Sequence, residues 1–323
     1  MVTRSGRPVD TATIIGLDIG GTKTAVVEGD PETGATLQRA ELLTDARSPF
    51  VDRFPAIASE IDRVRDAAER AGRRVRAISV AVGGPLRISD GVLLDPPHLP
   101  GWHGTALRAT LADRYPALAV HVEHDGNAGA LAEYRFGIGR HLPSLRHLVF
   151  LTAGTGLGGG IIANGALVRG ASDTAGEFGF FPMSGRVVDG QRADGSWDSL
   201  ASGSGLLRHA RSMFPDRWDA RATIRDVVDA ALADDPQALA AVTRTGEWLG
   251  HGLTLVVTAL NPEVVVVGTL GVVLGERLLA PARAVVAATV LPAAARACTI
   301  APAALGARVG DVAAIMAAIV AGP

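Results

Sequence analysis

Apolar residues occur along this chain in short runs that end at glycine-rich turns. The run ATIIGL leads into DIGGTKT at residues 18–24, and the run HLVFL leads into TAGTGLGGG at residues 152–160. Apolar runs also follow each turn: AVV after the first, and II, an Asn164-Gly165 turn and ALV after the second. Because glycine adopts the positive φ of tight turns at little cost, the pattern predicts two units of strand, glycine turn, strand, turn and strand.

The pattern between and after these units alternates helical and strand-like segments. Ile57, Ile61, Val64 and Ala68 share one face of a predicted helix over 54–70. Further strands are predicted near 35–43 and at 76–82, 118–123 and 264–267, and further helices at 124–136, from near 202, at 236–260 and at 310–320. This order, with strands apolar on both faces, predicts an α/β protein with covered, largely parallel sheets.

Length, composition and charge narrow the class of protein. A chain of 323 residues is long enough for two domains, which we predict at 1–123 with 308–323 and at 124–307. The net charge is −2 and the basic residues are interspersed along the chain, which argues against nucleic acid or an anionic membrane as a partner. Cys298 is the only cysteine, and neither a signal peptide nor an apolar stretch of ~18 residues is visible. We therefore expect a cytoplasmic protein.

The two glycine turns are candidate phosphate sites, because such loops expose backbone N–H groups. Because such a loop occurs twice in one chain, we expect a duplicated half-domain with a polyphosphate bound between the two loops. Lys23 is the only lysine in the sequence and lies beside the first loop, which supports a phosphate site there. The alternative is that a lysine has been kept by chance at an exposed hairpin. Gly154, Gly156 and Gly159 also match a dinucleotide fingerprint, but that motif opens a helix and here a strand pair follows. No GxxxxGK[ST] motif occurs.

Two aspartates stand beside these loops, and each has two interpretations. Asp18 ends a buried strand, where a carboxylate either binds Mg²⁺ through water or stabilises the turn as an Asx residue. Asp125 follows a strand at the start of a helix. It is either a helix N-cap or a general base that takes a proton from an acceptor hydroxyl.

The ordered set of motifs resembles the ROK family of bacterial sugar kinases and related repressors. The resemblance runs from about residue 14 to residue 320. The matching segments are DIGGTKT at 18–24, Gly84-Pro85, LPGW at 99–102, HDGNAGALAE at 124–133, and TAGTGLGGG with the NG turn and AGEFG up to residue 179. The resemblance implies an actin-like, hexokinase-type ATPase fold with two α/β domains around a cleft. It also implies ATP and Mg²⁺ as cofactors, a small-molecule sugar as partner, and a homodimer.

The resemblance also implies roles for individual residues. Asp125 matches the catalytic base that activates the primary hydroxyl of the sugar. The positions matching phosphate or nucleotide contacts are Gly20, Gly21, Thr22 and Lys23, then Thr152, Gly154, Thr155 and Gly156, and finally the turn from Gly268 to Gly271. Gly84, Glu177 and Asp198 match sugar contacts.

The residues that differ from the family pattern lie at positions that match the acceptor site. Phe180 stands where zinc-containing members have histidine, and residues 184–196 hold neither cysteine nor histidine, so we expect no zinc. His98 and His124 each replace an asparagine. Because polar groups that hydrogen-bond a hydroxyl discriminate strongly between substrates, these changes favour a modified acceptor, an aminosugar such as kanosamine or a C7-cyclitol. Drift within an ordinary zinc-free hexokinase is the alternative.

Other functional classes fit less well. A repressor of the family needs a helix-turn-helix segment before the sugar fold, and the first loop here begins at residue 18. A silent sugar sensor would lose the base, whereas Asp125 is present. A kinase that uses polyphosphate as donor remains open.

Overall fold

The computed structural model describes residues 12–184 and 195–322. They form two compact units. The first takes its residues from Met1–Ala132, Gly170–Thr174 and Arg308–Pro323, and the second from Glu133–Arg169 and Ala175–Ala307. Asp18 and Asp125 therefore belong to the first unit. The domain bounds predicted from the sequence stay a prediction.

Twelve strands and eleven α-helices lie within the described residues. The strands are β1 (Ala12–Ile19), β2 (Lys23–Gly29), β3 (Thr36–Leu43), β4 (Arg74–Val82), β5 (Leu86–Arg87), β6 (Val92–Leu93), β7 (Ala119–His124), β8 (Leu148–Ala153), β9 (Leu157–Ala163), β10 (Ala166–Val168), β11 (Val264–Val267) and β12 (Thr299–Pro302). The helices are α1 (Phe50–Arg70), α2 (Leu107–Arg114), α3 (Asp125–Phe136), α4 (Trp197–Ala201), α5 (Gly203–Met213), α6 (Ile224–Leu232), α7 (Pro236–Leu260), α8 (Leu270–Leu274), α9 (Glu276–Thr289), α10 (Pro292–Ala297) and α11 (Val309–Ala321).

Each unit contains a five-stranded sheet that is half antiparallel and half parallel. The first has the order β3-β2-β1-β4-β7, with antiparallel pairs from β3 to β1 and parallel pairs from β1 to β7. The second has the order β10-β9-β8-β11-β12, with the same division at β8. The predicted glycine hairpins are confirmed. The prediction of largely parallel sheets is wrong, because each hairpin adds two antiparallel strands on one side.

In the first unit, helices cover both faces of the sheet. Ile15 and Leu17 of β1 belong to the buried cluster that includes the apolar face of α1. Gly16 faces the opposite side, since successive residues of a strand alternate. A Cβ at Gly16 would lie 2.8 Å from the Cβ of Ala314, so its absence lets α11 lie directly against the strand. This brings the start of α11 to the edge of the sheet where β1 ends.

In the second unit, the long helix α7 has the predicted bounds. Asp235 is its N-cap, accepting hydrogen bonds from the backbone N–H groups of Gln237 and Ala238, and Pro236 occupies the first helical position. Asn261 ends the helix in the left-handed conformation with φ 43°. Among the described residues, no helix is long and apolar enough to cross a membrane.

Candidate active site

The first glycine hairpin joins β1 to β2 through Gly20, Gly21 and Thr22. The N–H of Gly20 donates to the carbonyl oxygen of Lys23 at 3.0 Å and closes the turn. The carbonyl oxygens of Gly20 and Thr22 are bound by Thr44, the residue after β3. Sequence reasoning missed Thr44, because it lies more than twenty positions from the loop and carries no local motif.

Lys23 is the first residue of β2 and forms an ion pair at the surface of the first unit. Its Nζ lies 2.5 Å from Oε1 of Glu41, and its side chain is 60% exposed. Hydrogen bonds from Lys23, then from Arg39, hold the pKa of Glu41 below its usual value. Exposed ion pairs contribute little net stability, so a phosphate can replace Glu41 as the partner of Lys23 at small cost.

Asp18 lies near the end of β1, against the first turn of α11. A Cβ at Gly310 would lie 2.6 Å from its Oδ2. Burial, followed by the negative charges of Asp125 and Asp311, raises the pKa of Asp18 to about 6, while the positive charge of Arg39 opposes this rise. A carboxylate with this environment gains from a nearby cation. Mg²⁺ fits, because it takes one or two carboxylates together with water and substrate phosphates.

Asp125 is the first residue of α3, directly after β7. Its Oδ1 accepts a hydrogen bond from the N–H of Gly126 at 2.7 Å, and its side chain is 41% exposed. An N-cap side chain instead binds an N–H two or three positions further on. A Cβ at Gly83 would lie 3.7 Å from Oδ2, so the second oxygen faces the turn after β4. The geometry favours a carboxylate oriented by one oxygen and available at the other.

His124 precedes Asp125 and lies against Gly84. Its Nδ1 accepts from the N–H of Gly126 at 3.2 Å, so the neutral ring carries its proton on Nε2. A Cβ at Gly84 would lie 2.8 Å from Cδ2 of the ring, so only glycine leaves room for the histidine. Glu123, which is buried, accepts from the N–H of His124 and from the side-chain amide of Asn127. These bonds fix the main chain that carries Asp125.

His98 lies beside the first hairpin through its backbone. A Cβ at Gly21 would lie 2.7 Å from the carbonyl oxygen of His98, while the imidazole is exposed. The segment is anchored by Leu99 and Trp102, which are buried, and Trp102 packs edge-on against Phe50 at 4.8 Å between ring centroids. The structure therefore brings His98 next to the phosphate loop, and its predicted contact with the acceptor stays a prediction.

The second hairpin joins β8 to β9 through Gly154, Thr155 and Gly156. The N–H of Gly154 donates to the carbonyl oxygen of Gly156 at 2.9 Å. The first turn of α5 supports the loop, because the N–H of Gly203 donates to the carbonyl oxygen of Gly154 at 2.7 Å. Ser204 donates to the carbonyl oxygen of Thr155 from its N–H at 3.2 Å and from its hydroxyl at 2.8 Å.

The turn after β11, which begins at Gly268, lies beside the second hairpin. Thr269 has φ 41°. Its side chain would lie 3.7 Å from a Cβ at Gly154. The predicted turn from Gly268 to Gly271 is confirmed, since the N–H of Gly271 donates to the carbonyl oxygen of Gly268 at 2.9 Å. Gly271 is also the second residue of α8, where a Cβ would meet the side chain of Val267 at 2.7 Å. Gly271 therefore serves close packing in this structure.

The three remaining predicted acceptor residues, Glu177, Phe180 and Asp198, all lie in the second unit. Glu177 directly precedes a short 3₁₀ turn, Phe178–Phe180, and both Glu177 and Phe180 are half-buried. Asp198 in α4 is buried, and its carboxylate accepts a hydrogen bond from the N–H of Leu157, the first residue of β9. Asp198 thus also holds the second hairpin, a role that sequence reasoning missed. The acceptor roles of the three residues stay predictions.

A groove of about 600 Å³ lies on α5. Ser204, Leu207, Arg208, Arg211 and Ser212 line it. Since Ser204 binds the second hairpin, the groove adjoins that loop. The guanidinium of Arg211 on its wall donates to the carbonyl oxygens of Asp219, Ala220 and Ala222. Within residues 12–184 and 195–322, no group of three or more His, Cys, Asp or Glu residues is placed to hold a metal ion. Most of the segment where zinc-containing relatives have their cysteines lies outside the described residues.

Comparison with known proteins finds sugar kinases among the similar sequences and structures. The chain is 30% identical over 273 residues to a glucokinase of Streptomyces coelicolor, covering 79% of this chain and 80% of that protein. It is 31% identical over 258 residues to a kanosamine kinase of Amycolatopsis mediterranei, covering 79% of each. A ROK family glucokinase from Streptomyces griseus, solved with glucose and AMPPNP, is 29% identical, with a TM-score of 0.77 over 95% of this chain and 99% of that one.

The similar structures also include a transcriptional regulator of the same family, which at 20% identity shows the fold alone. That fold is the actin-like ATPase fold. The ROK family model matches residues 14–320. The chain therefore belongs to the ROK family.

Proposed function

We propose that this chain is an ATP- and Mg²⁺-dependent kinase that phosphorylates the primary hydroxyl of a hexose-like acceptor. One observation carries the proposal. The strands β1, β4 and β7 are parallel, and their ends place Asp18, Gly83 and Asp125 at one edge of the same sheet. Asp18 and Asp125 are close enough that the charge of Asp125 raises the pKa of Asp18. In the proposed mechanism, these neighbouring residues serve as a cation-binding carboxylate and a proton acceptor.

The proposed chemistry follows from these positions. Asp125 accepts the proton of the acceptor hydroxyl, whose oxygen bonds to the γ-phosphorus as the bond to the β-phosphate oxygen breaks. Phosphoryl transfer depends mainly on positioning and on stabilising charge. The backbone N–H groups of the glycine hairpins and the ammonium of Lys23 supply the positive potential for the phosphates. Asp18 would hold a Mg²⁺ ion, which would neutralise negative charge on the phosphates.

For the acceptor, we propose a modified sugar, either an aminosugar such as kanosamine or a C7-cyclitol. Phe180 cannot accept or donate a hydrogen bond through its side chain, and His124 presents a ring of different shape from an asparagine amide. Similarity to a kanosamine kinase supports this class, and similarity to glucokinases at the same level supports the alternative, an ordinary zinc-free glucokinase.

An acceptor screen tests the proposal. The purified protein is assayed with Mg-ATP against glucose, glucosamine, N-acetylhexosamines, mannose, kanosamine and valienol-type cyclitols, with ADP release measured in a coupled assay. We expect kcat/KM for kanosamine or a cyclitol to exceed that for glucose by at least about ten-fold, the usual effect of one mismatched polar contact. A strong preference for glucose would support the proposed kinase activity but contradict the proposed modified acceptor.

The same assay separates the remaining classes. Repeating it with polyphosphate in place of ATP identifies the donor. A protein that binds a sugar in calorimetry but releases no ADP with any acceptor would be a sensor or regulator rather than an enzyme. The screen does not measure DNA binding. A regulator is therefore tested separately, by asking whether the protein binds DNA in a sugar-dependent way.

A further inference from the structure

Thr44 makes two hydrogen bonds to the first glycine hairpin, and no pattern in the sequence indicates them. It follows β3 and is buried. Its hydroxyl donates to the carbonyl oxygen of Gly20 at 2.6 Å, and its N–H donates to the carbonyl oxygen of Thr22 at 3.0 Å. Since its single hydroxyl proton goes to Gly20, the contact at 2.9 Å between the hydroxyls of Thr24 and Thr44 has Thr24 as donor.

These bonds determine where the N–H groups of the loop point. In a planar trans peptide, the C=O and the N–H of the next residue point in opposite directions. With the carbonyls of Gly20 and Thr22 directed at Thr44, the N–H groups of Gly21 and Lys23 point away from it. Neither peptide can rotate without breaking a bond to Thr44.

Neighbouring groups hold Thr44 itself in place. Arg53 of α1 donates to the carbonyl oxygen of Thr44 at 3.2 Å and to that of Leu43 at 2.9 Å. At the loop, the backbone of His98 lies close to Gly21, which restricts movement of the hairpin. The hydroxyl of Thr44 is therefore a fixed point from which the loop is oriented.

We propose that Thr44 is a positioning residue that directs the backbone N–H groups of the first hairpin toward the phosphates of the donor. The proposal rests on the proposed kinase function. It assigns Thr44 no contact with the substrate, so its effect acts through Gly20 and Thr22. Loss of the hydroxyl leaves the carbonyl of Gly20 unpaired and frees its peptide to rotate, which weakens donor binding more than acceptor binding.

Three variants test this, with the wild type assayed beside them. Thr44→Val removes the hydroxyl at constant shape, and Thr44→Ser restores it. Thr245→Val is the matched control, because Thr245 is also buried and its hydroxyl donates to a helix carbonyl, that of Ala241, at 2.8 Å in the second unit. We expect Thr44→Val to raise KM for ATP at least about ten-fold with KM for the acceptor within about two-fold. Thr44→Ser and Thr245→Val should leave both constants within about three-fold.

Three results would overturn the assignment in different ways. An active Thr44→Val protein with wild-type KM for ATP rejects the role of Thr44 alone. Equal rises in both KM values, or an equal rise in Thr245→Val, indicate general destabilisation and also reject it. A wild type that transfers no phosphoryl group rejects the proposed function, and this inference with it.

If Thr44→Val does not fold, the wild type still decides the question. In ¹⁵N-labelled protein, binding of AMPPNP with Mg²⁺ should shift the amide resonances of Gly21 and Lys23 more than those of Thr24 and Ala25. Bound analogue with unshifted Gly21 and Lys23 amides would show that these N–H groups do not face the phosphates.

Discussion

The two glycine hairpins have the same local sequence pattern, but they are held by different groups. In the first unit, the single residue Thr44 binds the carbonyl oxygen of Gly20 through its hydroxyl and that of Thr22 through its N–H. In the second, the first turn of α5 binds the loop carbonyls through two N–H groups and the hydroxyl of Ser204, and Asp198 binds the start of β9. The first hairpin also lies at the sheet edge that carries Asp18 and Asp125. We infer that the first unit carries the proton acceptor and a loop held by one residue after a strand, and the second a loop held by the first turn of a helix.

The largest expected effect tests where the chemistry resides. Asp125→Asn keeps an oxygen for the N–H of Gly126 but removes the basic carboxylate. We expect kcat to fall by about 10²–10⁴, the usual contribution of a positioned base, with KM for ATP within about two-fold. Steady-state kinetics with Mg-ATP measures both. Activity within a few-fold of the wild type would remove Asp125 from this role.

The second prediction concerns the support of the second hairpin. A Cβ at Gly203 would lie 2.7 Å from the carbonyl oxygen of Gly154, which Gly203 binds through its N–H. Gly203→Ala should therefore separate the helix from the loop and raise KM for ATP by about ten-fold or more.

Ser204→Ala is the control for that experiment. It loses the hydroxyl bond to Thr155 and keeps the N–H bond to the same carbonyl oxygen, so we expect a change of about two- to three-fold. Equal effects of the two variants would argue that the helix does not set the loop geometry.

The third prediction uses the pH dependence of stability of the first unit. The folded-state pKa of Asp18, about 6, lies above its unfolded value near 3.9. The contribution of Asp18 is therefore most favourable below the unfolded pKa and is lost as the pH rises through about 6. Asp18→Asn should melt at a higher temperature than the wild type at pH 7.5 without Mg²⁺ or nucleotide, by several degrees, with a smaller difference at pH 5. A difference independent of pH would contradict a raised pKa of the buried Asp18 carboxyl.

The smallest effect concerns Lys23 and its partner. Lys23→Met should raise KM for ATP by about five-fold, since one exposed charge contact to a phosphate is lost. Glu41→Gln frees Lys23 from its ion pair and should leave KM unchanged or lower it about two-fold. If Glu41→Gln raises KM as much as Lys23→Met does, the ion pair itself positions the lysine.

Local signals in the sequence predicted most of the elements. Helix α7 was predicted with its observed ends, because Pro236 and Asn261-Pro262 mark them directly. Helix α1 begins at Phe50, four residues before the predicted start, and Phe50 already belongs to its buried apolar face. Both hairpins follow from glycine and β-branched residues adjacent in the chain.

The supports of the site could not be predicted, because they join residues far apart in sequence. Thr44 binds Gly20 across 24 positions, and Asp198 binds Leu157 across 41. Neither residue belongs to a spacing that indicates its partner. The turn at Gly271 was predicted, but its close packing against Val267 was not, because that contact depends on a neighbour in space.

Hydrogen exchange with AMPPNP and Mg²⁺ tests the central proposal most directly, because it observes both hairpins in one protein. Mass spectrometry would follow peptides covering residues 18–24 and 152–158, with a peptide within 236–260 as the unaffected reference. We predict slower exchange in both hairpins when the analogue binds and no change in the reference. Saturating analogue that slows exchange in one hairpin alone, or in neither, would contradict the account.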